Sequence, residues 1–327
     1  MFRTEVNIQS SSEKISHSTP ILSIGSCFSD CMGNRFNENK FEALANPFGT
    51  VYNPISIFKL LTYSINKENP SEDTYVEAGH LHANYDFHSS FSSTEKEKIR
   101  DAVKNSILQT HDHLLKSGWL IITFGTAFIY RRIDNQEIVA NCHKVPSKYF
   151  SKELLSPTDI TEEFTILFNE LQKKNPDLKI ILTVSPVRHI KDTLEQNSVS
   201  KSILRMVCHE LSTKHQSVHY FPSYEIMMDD LRDYRFYKAD MIHPSEVAED
   251  YIWDKFSNAY FNTDTQQFLK QWSKLQRAVH HRPFNPESED HQKFIHETIN
   301  KLNQLSPQIN VTDEIEILKK QIVKHYG

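Results

Sequence analysis

Two short strings carry the residues best suited to chemistry: Gly25-Ser26-Cys27-Phe28-Ser29-Asp30 and Asp240-Met241-Ile242-His243-Pro244-Ser245. The first places a hydroxyl and a thiol side by side after the apolar run Ile21-Leu22-Ser23-Ile24, where a strand would deliver a small-residue turn into a helix start. A side chain so placed can act as a nucleophile. The second sets a carboxylate three residues before an imidazole. One loop can then present both, with His243 as base and Asp240 as the partner that orients it. Together the strings point to covalent acyl transfer.

These residues need a scaffold. Apolar runs of strand length occur at 21–24, 119–124, 180–184 and 218–221, with a weaker one at 41–45. Between them lie segments of helical period at 54–65, 93–116, 161–174 and 192–214. Such alternation implies an α/β fold, with a mainly parallel sheet covered on both faces. Only seven glycines occur, and Gly25 and Gly125 each end one of the strand-like runs. In open α/β sheets, ligands bind at the carboxyl ends of the strands. Residues 128–141 break the alternation, because two β-rich runs flank Asp134-Asn135, which predicts an inserted hairpin. After Tyr260 no strand signal remains. Three helical stretches are expected, at 265–279, 286–305 and 312–325, with Asn285 capping the second and Thr312 the third. The chain thus divides into a catalytic domain, 1–261, and a C-terminal helical appendage, 262–327, that packs on the core or on a second copy as a homodimer.

Hydrophobic residues make up 38% of the 327 and charged residues 24%, and the formal charge is -5. No basic face is implied, so nucleic acid is not an expected partner. The N-terminal stretch holds no apolar signal core, and no run reaches membrane length, so a cytoplasmic protein without a membrane span is expected. There Cys27, Cys31, Cys142 and Cys208 would be reduced, leaving Cys27 free to react.

Gly25-Ser26-Cys27-Phe28-Ser29 resembles the signature of the GSCFA domain family, a branch of the SGNH (GDSL-like) hydrolase superfamily. Asn46-Pro47-Phe48-Gly49-Thr50, Thr123-Phe124-Gly125-Thr126-Ala127, Asn141-Cys142-His143-Lys144-Val145-Pro146, Ser185-Pro186-Val187 and Tyr220-Phe221-Pro222-Ser223-Tyr224-Glu225 resemble it too, across roughly residues 20–260. The resemblance implies a three-layer α/β/α sandwich with a five-stranded, flavodoxin-like sheet, and ester hydrolysis or O-acyl transfer without cofactor or metal. The superfamily's nucleophile turn reads Gly-Asp-Ser, which lays Ser26 on the aspartate and Cys27 on the nucleophilic serine. A one-residue shift would make Ser26 the nucleophile. Cys27 is favoured, because a thiol near a base and a helix N-terminus needs less activation. The closing block Asp-x-x-His-Pro is met by Asp240, His243 and Pro244.

The same resemblance assigns the oxyanion hole to backbone amides at Cys27 and Gly49, with Gly125 and Thr126 from the third block. Ala127 stands where that block has an asparagine, and loss of such a donor costs about a hundredfold to a thousandfold in rate. Thr126, Asn46 and Asn53 are candidate replacements. His143 or Lys144 could bind an anionic substrate group, and His88 lies with His82 in an aromatic loop that could wall the pocket. Arg188 and His189 follow a strand end but are expected at the surface, as are His111 and His113, while Ile226-Met227-Met228 reads as core filling. The expected substrate is a small-molecule or glycan acyl ester. The competing expectation is a binding or scaffold protein that keeps the pocket without the chemistry.

Overall fold

The computed structural model describes residues 4–322. Five strands form the central sheet: β1 (Ile21–Gly25), β2 (Ala43–Ala45), β6 (Trp119–Phe124), β10 (Lys179–Val184) and β11 (Val218–Phe221). All their pairings are parallel, in the order β11-β10-β6-β1-β2. Numbered by appearance within the sheet, this is the 2-1-3-4-5 order of flavodoxin-like folds, in which the crevice opens between the first and third strands. Gly25 pairs with Thr123 and Val184 with Phe124, so the carboxyl ends of β1, β6 and β10 lie level.

Alternation along β1 and β6 divides the core. Leu22, Ile24, Leu120, Ile122 and Phe124 face one layer, into which α2 (Pro54–Asn66), α3 (Lys96–Lys116), α4 (Pro157–Lys174) and α5 (Thr193–Lys214) pack. Ile21, Trp119 and Ile121 face the other, which holds α1 (Cys27–Glu38) and α7 (Glu246–Tyr260). Burial on both faces explains why these strands read as continuous apolar runs. Helix α7, which the periodicity reading did not mark, supplies Ile252, Trp253 and Phe256 to the second layer.

Two small antiparallel sheets decorate this sandwich. One comprises β3 (Tyr75–Ala78), β4 (Leu81–Asn84) and β5 (Ser92–Ser93), so the expected aromatic loop is in part a sheet. The expected hairpin is β7 (Phe128–Arg132) with β8 (Ile138–Val139), joined by β9 (Phe150–Leu154) on the other side of β7. The one-turn α6 (Ser223–Glu225) leads into a π-helical turn at Ile226–Asp230, where Ile226 and Met227 are buried core residues.

The C-terminal helices are α8 (Thr263–Val279), α9 (Glu289–Leu305) and α10 (Thr312–Lys319). Helix α9 starts later than expected because Ser288, not Asn285, accepts the N-capping bond. Helix α10 has Val311, not Thr312, at its N-cap position and gives way to a turn after Lys319, short of the expected end, whose residues 323–325 lie outside the described residues. The three helices share a core of Trp272, Ile295, Leu302 and Leu318. This unit docks on the end of α1: Trp272 Nε1 (2.8 Å) and Gln276 Nε2 (2.9 Å) both donate to the Glu38 carbonyl, and Lys40 pairs with Glu314 at 2.8 Å. One orphan carbonyl of α1 is thereby satisfied. Among the described residues no helix is long and apolar enough to cross a membrane.

Candidate active site

The turn from β1 into α1 carries the first string. Gly25 adopts φ +140°, and a Cβ there would collide with the Thr123 backbone. Glycine is therefore required for β1 to run this close to β6 and still turn. Ser26 is the N-cap residue, 1% exposed, and its Oγ has no hydrogen-bond partner. Cys27, one residue on, is only half-buried. The two candidate nucleophiles thus part company: the hydroxyl is fully buried and the thiol, at the first residue of α1, is partly exposed.

The Cys27 thiol is nevertheless pushed above its ordinary value, chiefly by burial and then by the Asp30 carboxylate. Lys201 opposes this, as do the backbone N–H groups of Cys27 and Phe28, which donate to the sulfur. Tyr52 also faces Cys27 and Asp30, and its phenol is raised by burial first and by both of them next. Asp30 is fixed in place, accepting from Asn46 Nδ2 at 2.6 Å and Thr50 Oγ1 at 3.2 Å.

The second string forms a closed loop. Tyr237 bridges Pro244, Lys238 N–H donates to the His243 carbonyl at 2.8 Å, and Ser245 N–H donates to Phe236. Inside it, Asp240 Oδ1 accepts the amides of Ile242 (2.9 Å) and His243 (3.0 Å), while Oδ2 lies 2.7 Å from His243 Nδ1. These bonds, the two amides first and the imidazole after them, hold the carboxyl down to about 2. An ionised carboxylate only accepts, so Nδ1 carries a proton, and in the neutral imidazole the lone pair that can act as a base is on Nε2. Arg188 fastens this loop to the end of β10. Its N–H reaches the Ile242 carbonyl at 3.4 Å, and its guanidinium lies 4.3 Å from the Tyr237 ring and 5.1 Å from the Tyr234 ring.

The expected oxyanion donors need correction. Gly49 N–H donates to the Asn46 carbonyl at 2.8 Å, and Gly125 (2.8 Å) and Thr126 (3.1 Å) both donate to the Tyr52 carbonyl. Their hydrogens are spent on holding turns, which leaves, among the described residues, the Cys27 amide as the one of that set bonded to no oxygen, its N–H turned to its own sulfur. The candidate replacements are committed as well. Asn46 accepts from Gly25 N–H at 2.8 Å while its amide holds Asp30, and Asn53 caps α2 through Ser56. Thr126 Oγ1 lies 3.1 Å from Ser200 Oγ, and the Ala127 amide donates to the same hydroxyl at 2.7 Å.

The remaining expected residues gather elsewhere. His88 packs against Gly49, whose own φ is +72°. His143 is buried beside Asn84, with Nε2 2.7 Å from its carbonyl, and burial lowers its pKa. Lys144 is exposed, and both it and His143 adopt left-handed backbone, a tight turn at the hairpin's end. His111 and His113 are not at the surface: each is 8% exposed and bonds a backbone carbonyl, those of Ser64 and Ile21.

Residues 20–256 match the GSCFA family over most of the chain's length. The chain belongs to the GSCFA family. Residues 272–324 match the C-terminal domain of GSCFA domain proteins. No curated protein shows a significant match. Among solved structures, a carbohydrate esterase family 3 from Talaromyces cellulolyticus is similar at 12% identity and a TM-score of 0.26. The match spans 49% of this chain and 66% of that chain, just under two thirds of its length, and at that score it carries no weight.

In this GSCFA protein, residues that the sequence reading passed over lie at the site. Asp30 stands one turn beyond Cys27, in the very string that holds it. Lys201 is a lysine at a core position of α5, between Asn197 and Leu204, and that break in an apolar stripe was a legible signal.

Proposed function

We propose that this GSCFA protein is an SGNH-like acyl-ester hydrolase or O-acyltransferase that works through an acyl enzyme on Cys27. The observation that carries the reading is the 2.7 Å Asp240–His243 pair, which fixes the imidazole tautomer with Nε2 free. In the first step His243 Nε2 takes the thiol proton as Sγ attacks the ester carbonyl carbon. The tetrahedral intermediate collapses, the C–O bond breaks, and His243 returns the proton to the departing alcohol. In the second step water or an acceptor hydroxyl gives its proton to His243, attacks the thioester carbonyl and releases Cys27, which regains the proton. The Cys27 amide at the start of α1, turned to the sulfur in the resting protein, would turn to the oxyanion as its donor. Ser26 is the weaker candidate nucleophile because its oxygen is buried beneath that turn.

A second reading, a pocket that binds an acylated ligand without turning it over, draws support from one observation: the amides of Gly49, Gly125 and Thr126 are all committed. Release of p-nitrophenol from short-chain p-nitrophenyl esters separates the two. Turnover that is lost in folded Cys27→Ala and His243→Ala but kept in Ser26→Ala supports the acyl enzyme. Turnover indifferent to His243→Ala overturns it, and binding of an acyl ester without turnover favours the second reading.

A further inference from the structure

With 42 acidic residues to 37 lysines and arginines, an arginine of this chain has carboxylates enough to pair with. Arg188 is half-buried, and among the described residues no carboxylate pairs with it. Its guanidinium instead lies over the Tyr237 and Tyr234 rings, and Nη1 donates a long bond of 3.4 Å to the Tyr234 phenol. Ring faces attract the cation but do not take up a planar fork of N–H donors. Most of that fork is left without an acceptor, in the arrangement that grips carboxylate and phosphate.

Its place in the fold adds a second reason. Arg188 follows β10, at the carboxyl edge where open α/β sheets bind ligands. On one side it touches the loop of Asp240 and His243, through Tyr237 and the Ile242 carbonyl. On the other side its neighbour His189 meets Tyr52, ring to ring at 6.2 Å in a T-shaped pair. Tyr52 is joined to the Cys27 turn, since Val51 N–H donates to the Gly25 carbonyl at 2.9 Å, just before Ser26 and Cys27. The segment 188–189 therefore runs from the base to the nucleophile's turn. It is held there by the His189 amide, which donates to Asn197 at 2.9 Å. Neither ring nitrogen of His189 makes a hydrogen bond among the described residues, and Nδ1 stands 3.4 Å from Asp192. His143, expected to take an anionic group, is spent on the Asn84 carbonyl.

We propose that Arg188 is a specificity-determining residue: its guanidinium binds an anionic oxygen group, a carboxylate or a phosphate, on the acyl ester that Cys27 attacks. The ester rests on the acyl-enzyme reading, whereas the anion site is measured without turnover. Backbone 1H–15N shifts of the full chain are followed during titration with 4-hydroxybenzoate, phenyl phosphate and the neutral 4-hydroxybenzamide. The anions move the amides of Arg188, His189 and Ile242, and the benzamide binds about tenfold more weakly or worse, as for hydrogen bonds to a charged group. The tighter anion tells carboxylate from phosphate. Arg188→Gln removes the preference, and Arg188→Lys, which keeps the charge without the fork, retains part of it. Alongside, the ratio of kcat/KM for 4-acetoxybenzoate over 4-acetoxybenzamide falls about tenfold in Arg188→Gln. Anion binding that is lost in Arg188→Gln, with neither ester turned over, supports the anion site and counts against the acyl enzyme. Turnover with no preference for the anionic ester does the reverse. Anions that move nothing in this segment, or a preference kept in full by folded Arg188→Gln, overturn the proposal. Should neither variant fold, the Arg188 Nε–H resonance of the parent decides: it moves with the anions and not with the benzamide, and an unmoved resonance overturns the proposal.

Discussion

Replacing Asp30 by asparagine isolates one charge beside Cys27, the proposed nucleophile. Asp30 lies three residues beyond Cys27 on α1, and its carboxylate holds the thiol proton on, second only to burial. Side chains three apart on a helix stand about 6 Å apart, and between an effective dielectric of about 20 for a protein site and about 80 for water the repulsion is about 0.7 to 2.8 kcal/mol, about 1.4 kcal/mol in the middle of that range. That corresponds to about one pKa unit, a tenfold change in thiolate below the midpoint. Asparagine keeps an oxygen for the Asn46 amide and a polar group for Thr50, so the turn is held by the same neighbours. The assay is iodoacetamide alkylation of Cys27 across pH 7–10, read by peptide mass spectrometry. In the parent chain the midpoint lies above the ordinary thiol range, since the folded value is raised. In Asp30→Asn it falls by about one unit, and alkylation at pH 8 quickens about tenfold. A midpoint that stays put or rises in the folded variant refutes the reasoning, because it would mean burial alone sets the thiol.

Other expected outcomes bear on the scaffold and on pH. Asn53→Ala removes the N-cap of α2 and also orphans the Ser56 amide, so chemical denaturation should show a loss of about 1 kcal/mol, within the usual range for caps. Trp272→Ala empties the core of the C-terminal helices and removes one of the two donors to the Glu38 carbonyl; the same measurement should show a loss of about 3 to 5 kcal/mol. Because Asp240 is held at about 2, it stays ionised from pH 4 upward. Any acid limb of an ester-turnover profile between pH 5 and 7 therefore does not report Asp240 ionising: in Asp240→Asn the rate falls and a limb persists, whereas a limb that vanishes would assign it to Asp240.

Much of the scaffold was legible because burial on both faces leaves strong apolar runs. The four main strands and helices α2 to α5 follow from periodicity alone, and Gly25 was marked by its scarcity and its place after a strand. Helix α7 escaped because its acidic first turn, Glu246 and Glu249, dilutes the apolar stripe. Strand β9 escaped because its Ser-Lys-Glu centre has no apolar alternation and is held by pairing with β7. The Asp240–His243 contact followed from a three-residue spacing within one loop. The amides of Gly49, Gly125 and Thr126 could not be judged that way, since whether an N–H is free depends on carbonyls distant in sequence or on the path of a turn. For Gly125 and Thr126 that acceptor is Tyr52, more than seventy residues earlier. His111 and His113 look like surface polarity in sequence, yet each reaches a backbone carbonyl far along the chain. Buried polar groups find such partners as a rule, and sequence spacing does not name them.

The most direct measurement is intact-protein and peptide mass spectrometry of the chain quenched in acid during turnover of an activated acetyl ester. A single acetyl group on the Cys27 peptide, which persists longer when His243 is replaced by alanine after acylation is forced with excess ester, is the predicted result. Acetylation on Ser26 with Cys27 unmodified, or steady turnover with no acyl group on either residue, would contradict it.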